Sequence, residues 1–167
     1  MFFIPGKFKA KEDEAEAEEK AEAKENENGF IGWKTFIKDT GYMKYNDFRD
    51  FSVWKKAYEL VLTIYKLTES YHSDERYGIT SDMRRSANSI TSNVAEGYGR
   101  YEGKDKSRFY KIARGSATEL QSQVLVSYGL GYIKEIKERD DAFDRIAEII
   151  NELNNLIKTV ESRKSNK

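Results

Sequence analysis

The stretch Val53-Trp-Lys-Lys-Ala57-Tyr-Glu-Leu60-Val-Leu-Thr-Ile64-Tyr-Lys-Leu67-Thr-Glu-Ser-Tyr71 decides the fold. Val53, Ala57, Leu60, Ile64, Leu67 and Tyr71 recur at steps of three and four, the repeat of one face of an α-helix. Trp54, Val61 and Tyr65 widen that apolar stripe. Ser52 stands directly before it, and a serine there caps a helix by accepting from its first free N–H groups. The spacing predicts a helix over about 53–71.

The same repeat continues outward. Ser73-Asp-Glu-Arg-Tyr-Gly78 is a turn, after which Thr80 or Ser81 is placed to cap a second helix over about 80–99. Met83, Ala87, Ile90, Val94 and Gly97 share its inner face. The region from Gly99 to Gly103 loosens the chain. A third helix follows over about 104–129, with Phe109, Ile112, Ala113, Ser116, Leu120, Val124 and Ser127 inward. Small residues on that face predict close approach to neighbouring helices, and Gly129 and Gly131 mark its end. A fourth helix over about 138–161 carries Phe143, Ile146, Ile149, Ile150, Leu153, Leu156, Ile157 and Val160 at nearly heptad spacing. Pro5 is the sole proline, so nothing breaks these helices, and no stretch alternates with period two. Four amphipathic helices joined by short loops predict an all-α, antiparallel up-and-down four-helix bundle over 43–163.

Residues 1–42 read differently. They carry seven Lys/Arg and ten Asp/Glu, against twenty-two and nineteen in residues 43–167, so a neutral chain divides into an acidic extension and a basic body. Residues 11–27 contain only Ala, Glu, Lys, Asp and Asn; with nothing to bury, such a segment stays solvated. Phe30, Ile31, Trp33, Phe36 and Ile37 form a small apolar cluster suited to docking as a short helix. Met43, directly before the ordered pattern, offers an alternative start that would make 1–42 an upstream extension.

The absence of cysteine excludes disulfides and thiolate metal sites. No apolar run reaches the roughly 20 residues that span a bilayer, and the opening Met-Phe-Phe-Ile is too short for a secretory signal. The expectation is a cytoplasmic protein with no membrane contact. Catalysis finds no foothold either. His72 is the single histidine and falls at a turn, so His-based acid–base pairs and neutral-ligand metal sites cannot be assembled. No Glu-x-x-His pair suggests a di-iron bundle, and Gly97-Tyr-Gly99 lacks the strand and the Lys-Ser/Thr ending of a phosphate loop. No arginine is followed closely by histidine, as helical ribonucleases require. No enzyme activity, cofactor, metal or small-molecule substrate is expected.

Two surface features remain. Arg85, Ser89, Ser92 and Glu96 fall on one stripe of the second helix, opposite its Met83–Gly97 face. Arg85 and Glu96 lie ~16 Å apart along the axis, too far to pair with each other within one chain. The stripe is either a solvated face of unconnected charges or a subunit contact in which Arg85 meets Glu96 of the next chain; spacing alone prefers neither. The second feature is a basic cluster. Arg84, Arg85, Arg100, Lys104, Lys106, Arg108, Lys111 and Arg114 face only Glu96, Glu102 and Asp105 in the same segment. Lys104, Lys111 and Arg114, with Ser107, share the outward face of the third helix near its start. Tyr98, Tyr101 and Tyr110 add aromatic rings, as surfaces for single-stranded nucleic acid often do. Cations in the N-terminal half of a helix gain nothing from its dipole, which suits an external anion, while an ordinary solvated face is an equal reading. Arg84, Arg100, Lys104, Lys106, Arg108, Lys111 and Arg114 are therefore candidate nucleic-acid contacts.

Asp47-Phe-Arg-Asp-Phe-Ser-Val-Trp54-Lys-Lys-Ala57, Ile64-Tyr-Lys-Leu-Thr68, Glu75-Arg-Tyr-Gly78-Ile-Thr80, Arg84-Arg85-Ser-Ala87, Ser89-Ile90 and Ser92-Asn-Val-Ala-Glu-Gly97 occur in order, followed by Phe109, Ile112-Ala113, Gly115-Ser116 and Glu119-Leu120. In these blocks the chain resembles the bacterial four-helix-bundle proteins encoded in 23S ribosomal RNA intervening sequences. The resemblance covers roughly 45–160 and departs at Thr91 and His72. It implies a bundle that assembles as a ring, a homo-pentamer, related to the accessory subunit of diversity-generating retroelements. A ring would supply the neighbouring chain that the Arg85/Glu96 stripe lacks. The expected function is a non-catalytic homo-oligomer that binds rRNA, its intervening sequence or a ribonucleoprotein. The alternative is a protein–protein adaptor, such as an accessory subunit of a reverse transcriptase or nuclease.

Overall fold

The structure, a computed structural model, describes residues 47–162. Among them four α-helices follow one another: α1 (Ser52–Leu67), α2 (Ile79–Gly99), α3 (Gly103–Gly129) and α4 (Ile136–Ser162). No strand occurs among the described residues. Each helix packs on the next, and α4 returns to α1, which closes an up-and-down bundle. The acidic extension and its apolar cluster lie outside the described residues.

The core is the set of stripes read from the sequence. Val53, Ala57, Leu60 and Ile64 of α1 meet Met83, Ala87, Ile90 and Val94 of α2 in one apolar cluster. Ala113, Ala117, Leu120 and Val124 of α3 and Ile146, Ile149, Leu153 and Ile157 of α4 complete it. Removing such apolar surface from water stabilises the bundle by ~25 cal/mol per Å². On α3 four residues differ from expectation. Tyr110 and Ala117 are buried, while Phe109 is only half-buried and Ile112 lies 42% exposed. The core face of α3 is thus turned away from Ile112, toward the side that carries Tyr110.

Tyr110 reaches the core because of Gly97. A Cβ placed on Gly97 would meet Tyr110 Cε1 at 2.4 Å and Cδ1 at 2.8 Å, inside any real contact distance. Burial raises the Tyr110 hydroxyl from 10.0 to about 12, so the ring stays neutral in its apolar setting.

The helix ends differ from the sequence expectation in their capping. The segment opens with a short 3₁₀ helix, Phe48–Asp50, closed by reciprocal bonds between Asp47 and Asp50. Ser52 is not a cap; it is the first residue of α1, and its hydroxyl donates to Glu152 of α4 at 3.2 Å. α1 ends at Leu67, and Thr68–Ser70 tighten into a 3₁₀ turn, so Tyr71 packs on the core from beyond the helix. Neither Thr80 nor Ser81 caps α2. The Glu75 carboxylate, from the preceding 3₁₀ helix Ser73–Tyr77, accepts from Ile79 N–H at 3.1 Å, while Thr80 Oγ1 is buried without a hydrogen bond. Glu75 also accepts from Tyr132 at 3.0 Å, and Tyr132 stacks on Tyr71, which joins both turns at that end. Gly131 ends α3 as expected. Its φ of +77° lets Tyr132 N–H reach Ser127 C=O and its own N–H reach Tyr128 C=O. His72 is solvated, and its ring accepts from Asp74 N–H at 3.3 Å.

Gly97→Ala should therefore cost about 1–3 kcal/mol, since Tyr110 must leave its rotamer to admit the methyl group. Urea unfolding measures this. Unchanged stability would mean that α2 and α3 can separate without loss.

Candidate nucleic-acid interface

The basic cluster is not one surface. Its cations divide among three places, and the division follows from which helix seam each position faces.

Arg84 faces α1. It donates to Thr68 Oγ1 at 2.8 Å and to Tyr65 C=O at 3.4 Å, with its guanidinium 4.6 Å from the Tyr65 ring centre. It is a half-buried clamp between α1 and α2. Arg114 faces α4, where it donates to Asn154 at 2.9 Å. Both arginines hold helices together, so they leave the set of exposed nucleic-acid contacts.

The second group lies at the α2–α3 turn. Arg100 pairs with Glu96 one helical turn earlier and lies 4.8 Å from the Phe109 ring centre. Lys106 donates to Tyr98 C=O at 3.0 Å and sits over the Tyr98 ring. Tyr98 packs edge-on against Phe51, Tyr110 is in the core, and only Tyr101 stands free, 99% exposed. Of the three rings noted in the sequence, Tyr101 alone is available for stacking.

The third group lines an open groove of about 900 Å³ between the start of α3 and the end of α4. Its walls are Lys104, Asp105, Ser107, Arg108, Lys111, Ile112 and Glu161. Lys104 and Arg108 are exposed and make no ion pair among the described residues. Lys111 donates to Glu161 at 2.6 Å. Ser107 does not share the outward face; it is buried and donates to the same Glu161 oxygen at 2.6 Å. Glu161 and Asn154 had no signal near Lys111 or Arg114 in the sequence, because they lie 50 and 40 residues away.

The Arg85 stripe borders α3. Arg85 pairs with Asp82 at 3.1 Å and with Glu119 at 3.4 Å. The Ser89 and Ser116 hydroxyls are hydrogen-bonded at 2.8 Å, and Asn93 donates to Ser89. Ser92 is exposed, and Glu96 holds Arg100. Arg85 and Glu96 do not meet, as the spacing required, but neither charge is unconnected: each has a partner within the chain. On α3, Ile112 and Val126 are exposed, Ile112 as a wall of the groove.

Among the described residues no group of three His, Cys, Asp or Glu side chains is placed to hold a metal ion. No helix among them is long and apolar enough to cross a membrane.

Fold and surface together define a small helical bundle that offers faces and a shallow basic groove. The model of the family described as 23S rRNA-intervening sequence protein matches residues 49–158, and the chain belongs to that family. A solved structure of similar fold is a protein of unknown function from the S23 ribosomal protein family of Bacteroides thetaiotaomicron. It is 22% identical, with a TM-score of 0.57 over 64% of this chain and 98% of that one. A search of curated proteins finds no match. The family takes its name from its ribosomal RNA setting and not from a reaction.

Arg84→Met should lower stability by about 1–2 kcal/mol through the lost bonds to Thr68 and Tyr65. Its expected effect on the salt dependence of nucleic-acid binding is nil. A changed salt slope in the folded variant would return Arg84 to the binding surface.

Proposed function

We propose that this protein is a non-catalytic, homo-oligomeric RNA-binding protein of the cytoplasm, acting on 23S rRNA or its intervening sequence. Residues 43–163 are its working body, and the acidic extension 1–42 is dispensable for binding. The observation that carries the reading is the pair Lys104 and Arg108, exposed without ion pairs among the described residues in one groove with Lys111. Cations on the first turns of a helix lie at the positive end of its dipole, so an arriving phosphate gains from both. Arg100 and Lys106 at the adjoining turn add to the field, and Tyr101 offers a face for an unstacked base.

Self-assembly rests on the stripe Arg85, Ser89, Ser92 and Glu96. Small side chains between two ion-paired ends suit the approach of a second copy. The ring of five implied by the family resemblance would use this face. The exposed residues Ile112, Leu125 and Val126 of α3, with Leu130 just beyond it, also favour a second reading, a protein–protein adaptor such as an accessory subunit of a reverse transcriptase or nuclease.

The direct test is binding of the full chain to intervening-sequence RNA over a salt series, with scrambled RNA and an acidic polypeptide alongside. Each neutralised phosphate of a single strand contributes about 0.7 to the slope of log K against log salt. The double reversal Lys104→Glu/Arg108→Glu should weaken binding and reduce the slope by about 1.4. Wild-type affinity and slope in that variant would remove the groove from the site. Stronger binding to the acidic polypeptide than to RNA would favour the adaptor.

Native mass spectrometry of the full chain tests assembly. A discrete oligomer is expected, and Ser92→Lys, which places a bulky charge on an exposed small position, should shift it toward monomer with helicity unchanged. An oligomer indifferent to Ser92→Lys would move the interface elsewhere.

A further inference from the structure

We propose that Glu161 is an internal stand-in for phosphate, which occupies the RNA-backbone position of the groove until a phosphodiester displaces it. The inference rests on the RNA reading above and adds a built-in competitor to it. Two donors converge on one Glu161 carboxylate oxygen: Ser107 Oγ at 2.6 Å and Lys111 Nζ at 2.6 Å. A hydroxyl and an ammonium meeting on a single anionic oxygen are the donor pair that a phosphate oxygen also takes. Ser107 is 4% exposed, so its hydroxyl is held in one place and aimed at that oxygen by the packing of α3.

Glu161 belongs to α4 (Ile136–Ser162) and reaches across the seam to both α3 donors. The Lys111 and Glu161 side chains are each about half exposed, at 49% and 47%, so water screens their pairing, and the buried Ser107 hydroxyl needs another acceptor, such as a phosphate oxygen, once the carboxylate leaves. Its departure would leave Ser107 and Lys111 as donors, flanked by Lys104 and Arg108, with Asp105 as the remaining carboxylate of the groove. A monovalent anion offers one charge in exchange for the one lost. A phosphodiester backbone brings several charges at spaced positions, contacts Lys104 and Arg108 at the same time, and so outcompetes the carboxylate. The groove therefore favours a polyanion over a simple salt.

The experiment compares wild type, Glu161→Gln and the double variant Glu161→Gln/Lys111→Gln as full chains. Glu161→Ala serves as a second variant should the amide keep the Ser107 bond in the carboxylate's place. The probes are a fluorescent oligouridine RNA over a salt series and inorganic tripolyphosphate. Glu161→Gln or Glu161→Ala is expected to bind oligouridine about two- to fivefold tighter, the equivalent of one exposed ion pair released. The salt slope should steepen by about 0.7, and Lys111→Gln should abolish the gain. If wild type binds RNA and removal of the carboxylate leaves affinity equal or weaker, the stand-in is overturned while the RNA reading stands. If no form binds RNA, the RNA reading fails and tripolyphosphate decides. Tighter tripolyphosphate binding without the carboxylate then supports a phosphate site with another ligand, and equal binding overturns the site too.

Discussion

The close approach of α2 and α3 is the constraint on which the rest of the structure depends. Gly97 has no Cβ because the Tyr110 ring occupies the space one would need. Ser86 and Ala87 of α2 and Ala113, Ser116 and Ala117 of α3 are buried small residues along the same pair of helices. Small residues bring backbones together, and the short turn Arg100–Glu102 can then join helices that lie almost in contact. With that pair fixed, the Ser89–Ser116 hydroxyl contact and the Arg85–Glu119 ion pair fall into register at successive turns. α1 and α4 then close the bundle by burying branched aliphatic side chains, which tolerate more adjustment than a ring set against a glycine.

Packing also decides what the charged residues can do. A helix in a four-helix bundle shows one flank to each neighbour, and long cationic side chains on those flanks reach across the seams. Arg84 spans α1 and α2, Arg114 spans α3 and α4, and Lys56 bridges α1 to Glu148 and Glu152 of α4. Hydrogen bonds to Glu148 and then Glu152 raise the Lys56 ammonium above its ordinary value of 10.5, the mark of a cation already in use. Exposed pairs of this kind add little to stability, but they withdraw charge from the surface. Lys104 and Arg108 make no such pair among the described residues, although Ser107 and Lys111 beside them take up Glu161.

The helices, their order and most of the core were legible in the sequence, because periodicity at three and four reports the buried face directly. The caps were less legible. Ser52, Thr80 and Ser81 are residue types that suit a cap, yet Glu75 caps α2 from the preceding 3₁₀ turn, a geometry that no local pattern announces. The inner face of α3 was misjudged by a fraction of a turn, since Phe109 and Ile112 are as apolar as Tyr110 and Ala117. Only the missing Cβ at Gly97 distinguishes the correct rotation. The candidate site was legible as a charge excess but not as a geometry. Which cation is consumed depends on Asn154 and Glu161, far along the chain, and on Thr68 across the first turn.

One groove is a modest site. Its walls hold Lys104, Arg108 and Lys111 against Asp105 and Glu161, so the excess is a single charge while the carboxylates stay in place. An excess of that size cannot hold a nucleic acid firmly at cellular salt, because screening acts within about 8 Å. Assembly changes the balance. In the proposed oligomer, copies joined through the Arg85–Glu96 face of α2 would keep their grooves open, since the groove lies between α3 and α4. A single strand that enters one groove then meets the next at a high effective concentration, and weak contacts multiply without any new chemistry. The two halves of the proposed function are thereby coupled: RNA binding by so small a patch requires the oligomer, and a monomeric variant should lose affinity with its groove intact.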